Sequence, residues 1–143
     1  MYYAQIFEHF FGECHMSKKI IYTDNAPKAI GPYSQGVIAG GFLFISGQVP
    51  IDPKNGDVLK ESIEIQTNQV INNIENICKE AGCGLSDIVK ITIYLTDLGK
   101  FADVNKVMIE RFEEPYPARA TIEISALPLG VNVEIDAVVN AND

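Results

Sequence analysis

Ala118-Arg119-Ala120-Thr121-Ile122-Glu123-Ile124-Ser125 and Val131-Asn132-Val133-Glu134-Ile135-Asp136-Ala137-Val138-Val139 are the two stretches that decide the fold. In the first, alanine and isoleucine alternate with Arg119, Thr121, Glu123 and Ser125. In the second, Val131, Val133, Ile135, Ala137 and Val139 interleave with Asn132, Glu134 and Asp136. Successive side chains on a strand point to opposite faces, so both stretches read as strands with one apolar and one polar face. Leu127-Pro128-Leu129-Gly130 supplies the turn between them. If the two strands bury their apolar faces together, Arg119, Thr121 and Glu134 share the other face. A polar sheet face of this kind commonly covers a ligand or a second copy of the chain, and self-association through it is expected.

Working outward, residues 89–96 also alternate and read as a strand. Phe101, Val104, Val107, Met108 and Phe112 mark a short amphipathic helix, with Arg111 on its solvated side beside Glu110, Glu113 and Glu114. From Leu59 to Ala81, Ile63, Thr67, Val70, Ile74, Ile77, Cys78 and Ala81 fall at helical spacing, stopped by Gly82. Residues 34–39 and 42–46 flank Gly40-Gly41, a hairpin signal, and residues 18–22 form a further short strand. Asp52-Pro53-Lys54-Asn55-Gly56-Asp57 is a plain turn. The order is β-β-β-α-β-α-β-β, an α+β mixed sheet with both helices on one face.

The 143 residues suit one domain, and 47% hydrophobic against 21% charged content is ordinary globular composition. Residues 1–15, rich in aromatics but without a basic start or a small-residue cleavage site, read as an extension ahead of Met16-Ser17-Lys18-Lys19. A single domain over 16–143 follows. No apolar run approaches the roughly 20 residues of a membrane-spanning helix. Eleven Lys plus Arg face 19 Asp plus Glu, and the formal charge is -8. Only Arg111 and Arg119 are arginines. That balance makes nucleic acid an unlikely partner, because backbone binding rests on Lys and Arg releasing counterions. Three cysteines, Cys14, Cys78 and Cys83, form no C-x-x-C pair and read as thiols in a reducing compartment, the cytoplasm. Both histidines, His9 and His15, precede the domain, so no Ser-His or Cys-His pair and no zinc site is supported there.

Chemistry must then rest on carboxylates, hydroxyls, backbone groups and water. An arginine on a rigid strand can grip a carboxylate through two parallel N–H···O bonds, and a carboxylate on a neighbouring strand can act as general base toward water. Arg119 and Glu134 suit those roles, or else form a structural ion pair. Tyr33, in Gly31-Pro32-Tyr33-Ser34-Gln35-Gly36, sits at a bend fixed by glycine and proline. Ser46-Gly47-Gln48 ends an apolar strand with a glycine that admits close approach or marks a bulge. Asn105 interrupts an apolar helix face and is either a local anchor or a site residue.

These segments closely resemble the Rid family (YjgF-type proteins), in particular its RidA branch. The likeness runs through Gly31-Pro32-Tyr33-Ser34-Gln35-Gly36, Ile45-Ser46-Gly47-Gln48, Asp103-Val104-Asn105, Pro117-Ala118-Arg119-Ala120-Thr121 and Leu127-Pro128 leading to Val133-Glu134-Ile135. It implies a chorismate-mutase-like α+β fold, a homotrimer with a barrel-like centre, and ligand clefts between subunits. It implies hydrolysis of 2-imino acids such as 2-iminopropanoate and 2-iminobutanoate to 2-keto acids and ammonia, with no cofactor and no metal. Arg119 would bind the substrate carboxylate and Glu134 would activate water. Tyr33 would close over the ligand, Ser46 and Gly47 would line the cleft, and Asn105 would support the site. Thr121 stands where many relatives carry cysteine and would act as a small polar wall or through its carbonyl. The resemblance also raises two alternatives, an endoribonuclease or translation inhibitor, and a non-catalytic metabolite-binding or chaperone-like trimer.

Overall fold

The computed structural model describes residues 17–142, so the expected extension at 1–15 lies outside the described residues. Six strands and two long helices follow in the expected order. They are β1 (Lys19–Ile21), β2 (Gly36–Ala39), β3 (Phe42–Gln48), α1 (Ile63–Glu80), β4 (Ile88–Leu95), α2 (Phe101–Arg111), β5 (Ala118–Glu123) and β6 (Val133–Asn140). The hairpin between β2 and β3 turns on Gly40 and Gly41, both at positive φ, which is what a two-residue turn matched to strand twist demands. Helix α1 starts later than the apolar periodicity suggests. Ser62 caps it, its hydroxyl accepting from the Ile65 amide, and residues 59–62 lead in without helical structure. Gly82, at φ 78°, follows its end as expected.

The strands form one sheet in the order β1-β2-β3-β6-β4-β5. Both helices cover one face. Ile71, Ile74 and Ile77 of α1 and Val104 and Val107 of α2 bury against Leu43, Ile45, Ile91, Ile93, Leu95, Ile135 and Val139. Cys78 is part of this core, and burial pushes its thiol up to about 12, so it is inert at neutral pH.

Two expectations are corrected here. Strands β5 and β6 do not pair, because β4 lies between them, parallel to β5 and antiparallel to β6. Register then fixes the faces. Arg119 pairs with Ile91 and Thr121 with Ile93, so both point to the helix side; Glu134 pairs with Tyr94 and points to the open side. Arg119 and Thr121 therefore do not share a face with Glu134. The open face instead carries Glu134 and Asp136 together with exposed Ile20, Phe42, Phe44 and Ile122. Arg111 is the second correction. It folds across to α1, donating to the Asn68 carbonyl and side-chain oxygen and pairing with Glu75 at 3.3 Å. The pull of a half-buried carboxylate on the neighbouring helix outweighs the acids beside Arg111 in sequence.

Gln35, only 2% exposed, pins the loop ahead of β2. Its Oε1 accepts from the Thr23 amide at 2.8 Å, and its Nε2 donates to the Thr23 carbonyl at 3.0 Å and the Pro27 carbonyl at 2.9 Å. These backbone groups have no ladder partner to fall back on. Gln35→Leu should cost roughly 1–3 kcal/mol for each polar group left buried and unpaired. Urea denaturation would measure the loss, and faster amide exchange at Thr23 would localise it.

Candidate functional site

The expected site residues collect into two separate cavities. The first, of about 400 Å³, contains Glu134, Tyr33, Ser46 and Gly47. The second, of about 440 Å³, contains Arg119 and Asn105. Opposite faces of one sheet keep them apart, as the register requires.

The Glu134 cavity depends on a break in the β3–β6 ladder. Register shifts between Ile45 and Gln48, the mark of a bulge, and such bulges re-aim side chains beside functional sites. Glu134 occupies the space this opens. A Cβ added at Gly47 would collide with the Glu134 carboxylate, so the glycine is the reason that the carboxylate fits. Ser46 holds the opposite wall. Its hydroxyl donates to the Ser34 carbonyl at 2.6 Å and its amide donates to the Gln35 carbonyl at 3.0 Å. Tyr33, half exposed, leans over the mouth, its hydroxyl 3.5 Å from the Ile30 amide that donates to it. Partial burial raises the pKa of Glu134 above the usual carboxylate value, and the like charge of Asp136, two residues along the same face, adds to it. Asp136 is held by the Tyr94 hydroxyl, which donates to it at 2.8 Å.

The Arg119 cavity is built between β5 and α2. Asn105 Oδ1 accepts from Arg119 Nη1 at 2.7 Å, so the residue that interrupts the apolar face of α2 orients the guanidinium. The guanidinium carbon stands 4.9 Å from the centre of the Phe101 ring, a cation–π contact. Between them the amide and the ring fix a planar fork whose remaining donors can meet a carboxylate. Met108, Ile109, Tyr116 and Pro117 supply mostly apolar walls. Thr121 sits two residues further on the same face, and its Oγ1 is buried with no hydrogen-bond partner.

Residue-by-residue reading of the sequence missed Gln35, Phe101 and the Tyr94–Asp136 pair. Gln35 had a signal, a long polar side chain at the start of an otherwise apolar strand pair. The other two become visible only once β4 is placed between β5 and β6. Among the described residues, no cluster of His, Cys, Asp and Glu suited to a metal ion occurs, and no helix is long and apolar enough to cross a membrane.

An arginine fork and a carboxylate of raised pKa thus line two cavities on opposite faces of an α+β sheet, each of the size of a small-molecule site. Comparison with known proteins places the chain. Residues 23–141 match the family described as Endoribonuclease L-PSP. The chain is 52% identical over 121 residues to a RutC family protein of Pyrococcus horikoshii, covering 85% of this chain and 96% of that one. It is 41% identical over 123 residues to Reactive Intermediate Deaminase A, chloroplastic, of Arabidopsis thaliana, covering 86% of this chain and 66% of that one. The crystal structure of RidA from the Antarctic bacterium Psychrobacter sp. PAMC 21119 superposes with a TM-score of 0.82 at 44% identity, covering 85% and 98% of the two chains. The chain belongs to this family, the Rid or YjgF-type proteins.

The raised pKa has a thermodynamic counterpart. The folded state binds the Glu134 proton more tightly than the unfolded chain, so stability falls as pH rises from the usual glutamate range through the raised value. Glu134→Gln removes that loss. The variant should melt close to the parent at about pH 4 and above it at neutral pH. Thermal unfolding at the two pH values checks this, and parallel behaviour of the two proteins would contradict it.

Proposed function

We propose that the protein hydrolyses reactive 2-imino acids, such as 2-iminopropanoate and 2-iminobutanoate, to 2-keto acids and ammonia. The observation that carries this reading is that one chain holds a pre-oriented guanidinium on one sheet face and a half-buried carboxylate of raised pKa, seated against Gly47, on the other. Those are the two groups that the reaction needs, and family membership with a deaminase-named relative agrees.

Each half-site is incomplete alone. Arg119 and Glu134 lie on opposite faces, so one copy must present its Arg119 cavity to the Glu134 cavity of another. A contact between two different surfaces generates a ring where the rotation closes, and the resemblance to RidA implies a ring of three. The open sheet face, with exposed Phe42, Phe44, Ile20 and Ile122, is the surface that such an assembly would cover.

In this reading Arg119 holds the carboxylate and so fixes C2 of the imine. Glu134 from the adjoining copy places water roughly 3–3.5 Å from C2. Water oxygen bonds to C2 as Glu134 takes one of its protons and the C=N electron pair moves to nitrogen, which takes a proton from solvent, giving a carbinolamine. Glu134 returns its proton to that nitrogen, the C–N bond breaks with its pair leaving on ammonia, and the C2 hydroxyl gives its proton to solvent as the C=O forms. Tyr33 closes over the bound acid. Gly47 leaves room for the Glu134 carboxylate, and Thr121 serves as a small polar wall beside the fork. No step calls for a cofactor.

Imine made by a threonine dehydratase and followed by keto-acid release tests the reading. Arg119→Ala should abolish clearance, and Glu134→Gln should slow it by about 10²–10⁴-fold, the usual worth of a general base. The parent's rate should decline on acidification at a pH above the usual glutamate range, because only ionised Glu134 accepts a proton. Keto acid appearing no faster than by the spontaneous decay of the imine would identify a pure binder instead.

A further inference from the structure

Helix α1 ends in a way that brings two sulfurs together. The chain reverses at Gly82, which sits at φ 78°. The Gly82 amide donates to the Lys79 carbonyl at 3.0 Å, and the Cys83 amide donates to the Cys78 carbonyl at 2.9 Å. This nested pair of bonds is the Schellman closure of a helix. The residue after the glycine folds back over the last turn, and its side chain meets that of the residue to which its amide is bonded. Here those two residues are Cys78 and Cys83, and a contact that is commonly made by two apolar side chains is made by two thiols. Their separation of five matches no C-x-x-C pattern, yet it is the separation that this closure requires.

Other observations agree. Cys83 packs against the core cluster to which Cys78 belongs. Burial pushes the Cys78 thiol up to about 12 and the nearby Cys83 adds to that, so each sulfur lies within electrostatic reach of the other. A disulfide spans Cα atoms roughly 4.4–6.8 Å apart, and a direct backbone hydrogen bond keeps these two residues adjacent. Their access to solvent differs. Cys78 is buried, whereas Cys83 is partly exposed, its thiol donating to the carbonyls of Ala81 at 3.7 Å and Asn140 at 3.8 Å. Cys78 is therefore closed to a reagent from solvent and open to the sulfur beside it.

We propose that Cys78 and Cys83 form a reversible redox modification site, which a low-molecular-weight disulfide oxidises to an internal disulfide. The Cys83 thiolate attacks one sulfur of the reagent, whose S–S bond breaks, and the first reagent thiol leaves with the Cys83 proton. Cys78 then attacks the Cys83 sulfur of the mixed disulfide. The second reagent thiol leaves with the Cys78 proton. Two electrons pass from the protein to the reagent, which is reduced to two thiols. Cys78 needs only a trace of thiolate for this, because a neighbouring group reacts with an effective molarity of about 10⁵ M or more. Where thiols are kept reduced such a bond is transient, and excess thiol reverses it. Neither cysteine lines the Glu134 or the Arg119 cavity, so the proposal stands apart from imine hydrolysis.

Oxidised glutathione provides the test. Cys14→Ser removes the third thiol and serves as the parent. Incubated folded with the reagent at pH 8, the parent chain should become lighter by two hydrogen atoms, carry no glutathione, and regain its mass with dithiothreitol. Trypsin cuts after Lys60, Lys79 and Lys90, so the bond should join peptides 61–79 and 80–90. With Cys78→Ala added, the chain should instead keep one glutathione on Cys83, because nothing displaces it. A parent that keeps glutathione on Cys83 as this variant does, or whose two peptides stay separate with both thiols intact, overturns the proposal. The parent result decides alone if Cys78→Ala fails to fold.

Discussion

The insertion of β4 between β5 and β6 is the constraint on which the rest depends. Side chains alternate faces along a strand, and bridged residues on adjacent strands share a face. With Ile91 paired to Arg119 and Tyr94 paired to Glu134, parity sends the guanidinium to the helix side and the carboxylate to the open side. No rotamer change reverses this. A one-residue slip of β5 would do so, but only by carrying Arg119 away from Asn105 and Phe101. The separation of the two charged groups is thus built into the sheet, and a site that uses both must be shared between copies.

Around each group the chain spends its irregular backbone. A bulge in β3 and a glycine at 47 make room for Glu134, and the loop from Thr23 to Pro27 that walls its cavity hangs on the amide of Gln35. The carboxylate is left half-buried among apolar walls beside Asp136, which raises its proton affinity toward the range where a base is useful. On the other side, Asn105 and Phe101 orient the arginine, so under the proposed function little side-chain freedom would remain to be lost on binding an acid. Arg111 is tied to Glu75 and Asn68, which leaves Arg119 as the arginine that a small anion would meet.

Much of the fold was legible because it is local. Alternation in β4 and β6, helical spacing in α1 and α2, and the Gly40-Gly41 turn each follow from a few adjacent residues. The apolar set Val133, Ile135, Ala137 and Val139 is buried as its spacing implies. Strand β5 misled for a physical reason. Its residues alternate, but as an edge strand with alanine, threonine and isoleucine on mixed sides it carries no clear sign of which face is the core face. Ile122 is 45% exposed while Thr121 Oγ1 is buried. Its neighbour is fixed by a parallel crossover through α2, which no spacing within the strand reveals. Motif resemblance and loop chemistry singled out Tyr33, Ser46, Gly47, Asn105, Arg119 and Glu134, which line two cavities. Their division between opposite sheet faces was not legible, since that division is a property of the register.

Complementation between two variants tests this account most directly. Arg119→Ala lacks one half-site and Glu134→Gln the other. Unfolded together and reassembled in equal amounts, they should regain imine clearance, to about a quarter of the parental level if copies mix at random in a ring and each site draws one residue from each of two neighbours. Such recovery requires that an intact Arg119 and an intact Glu134 from different copies meet at one site. Mixed assemblies that form yet remain as inactive as either variant alone would contradict the shared site.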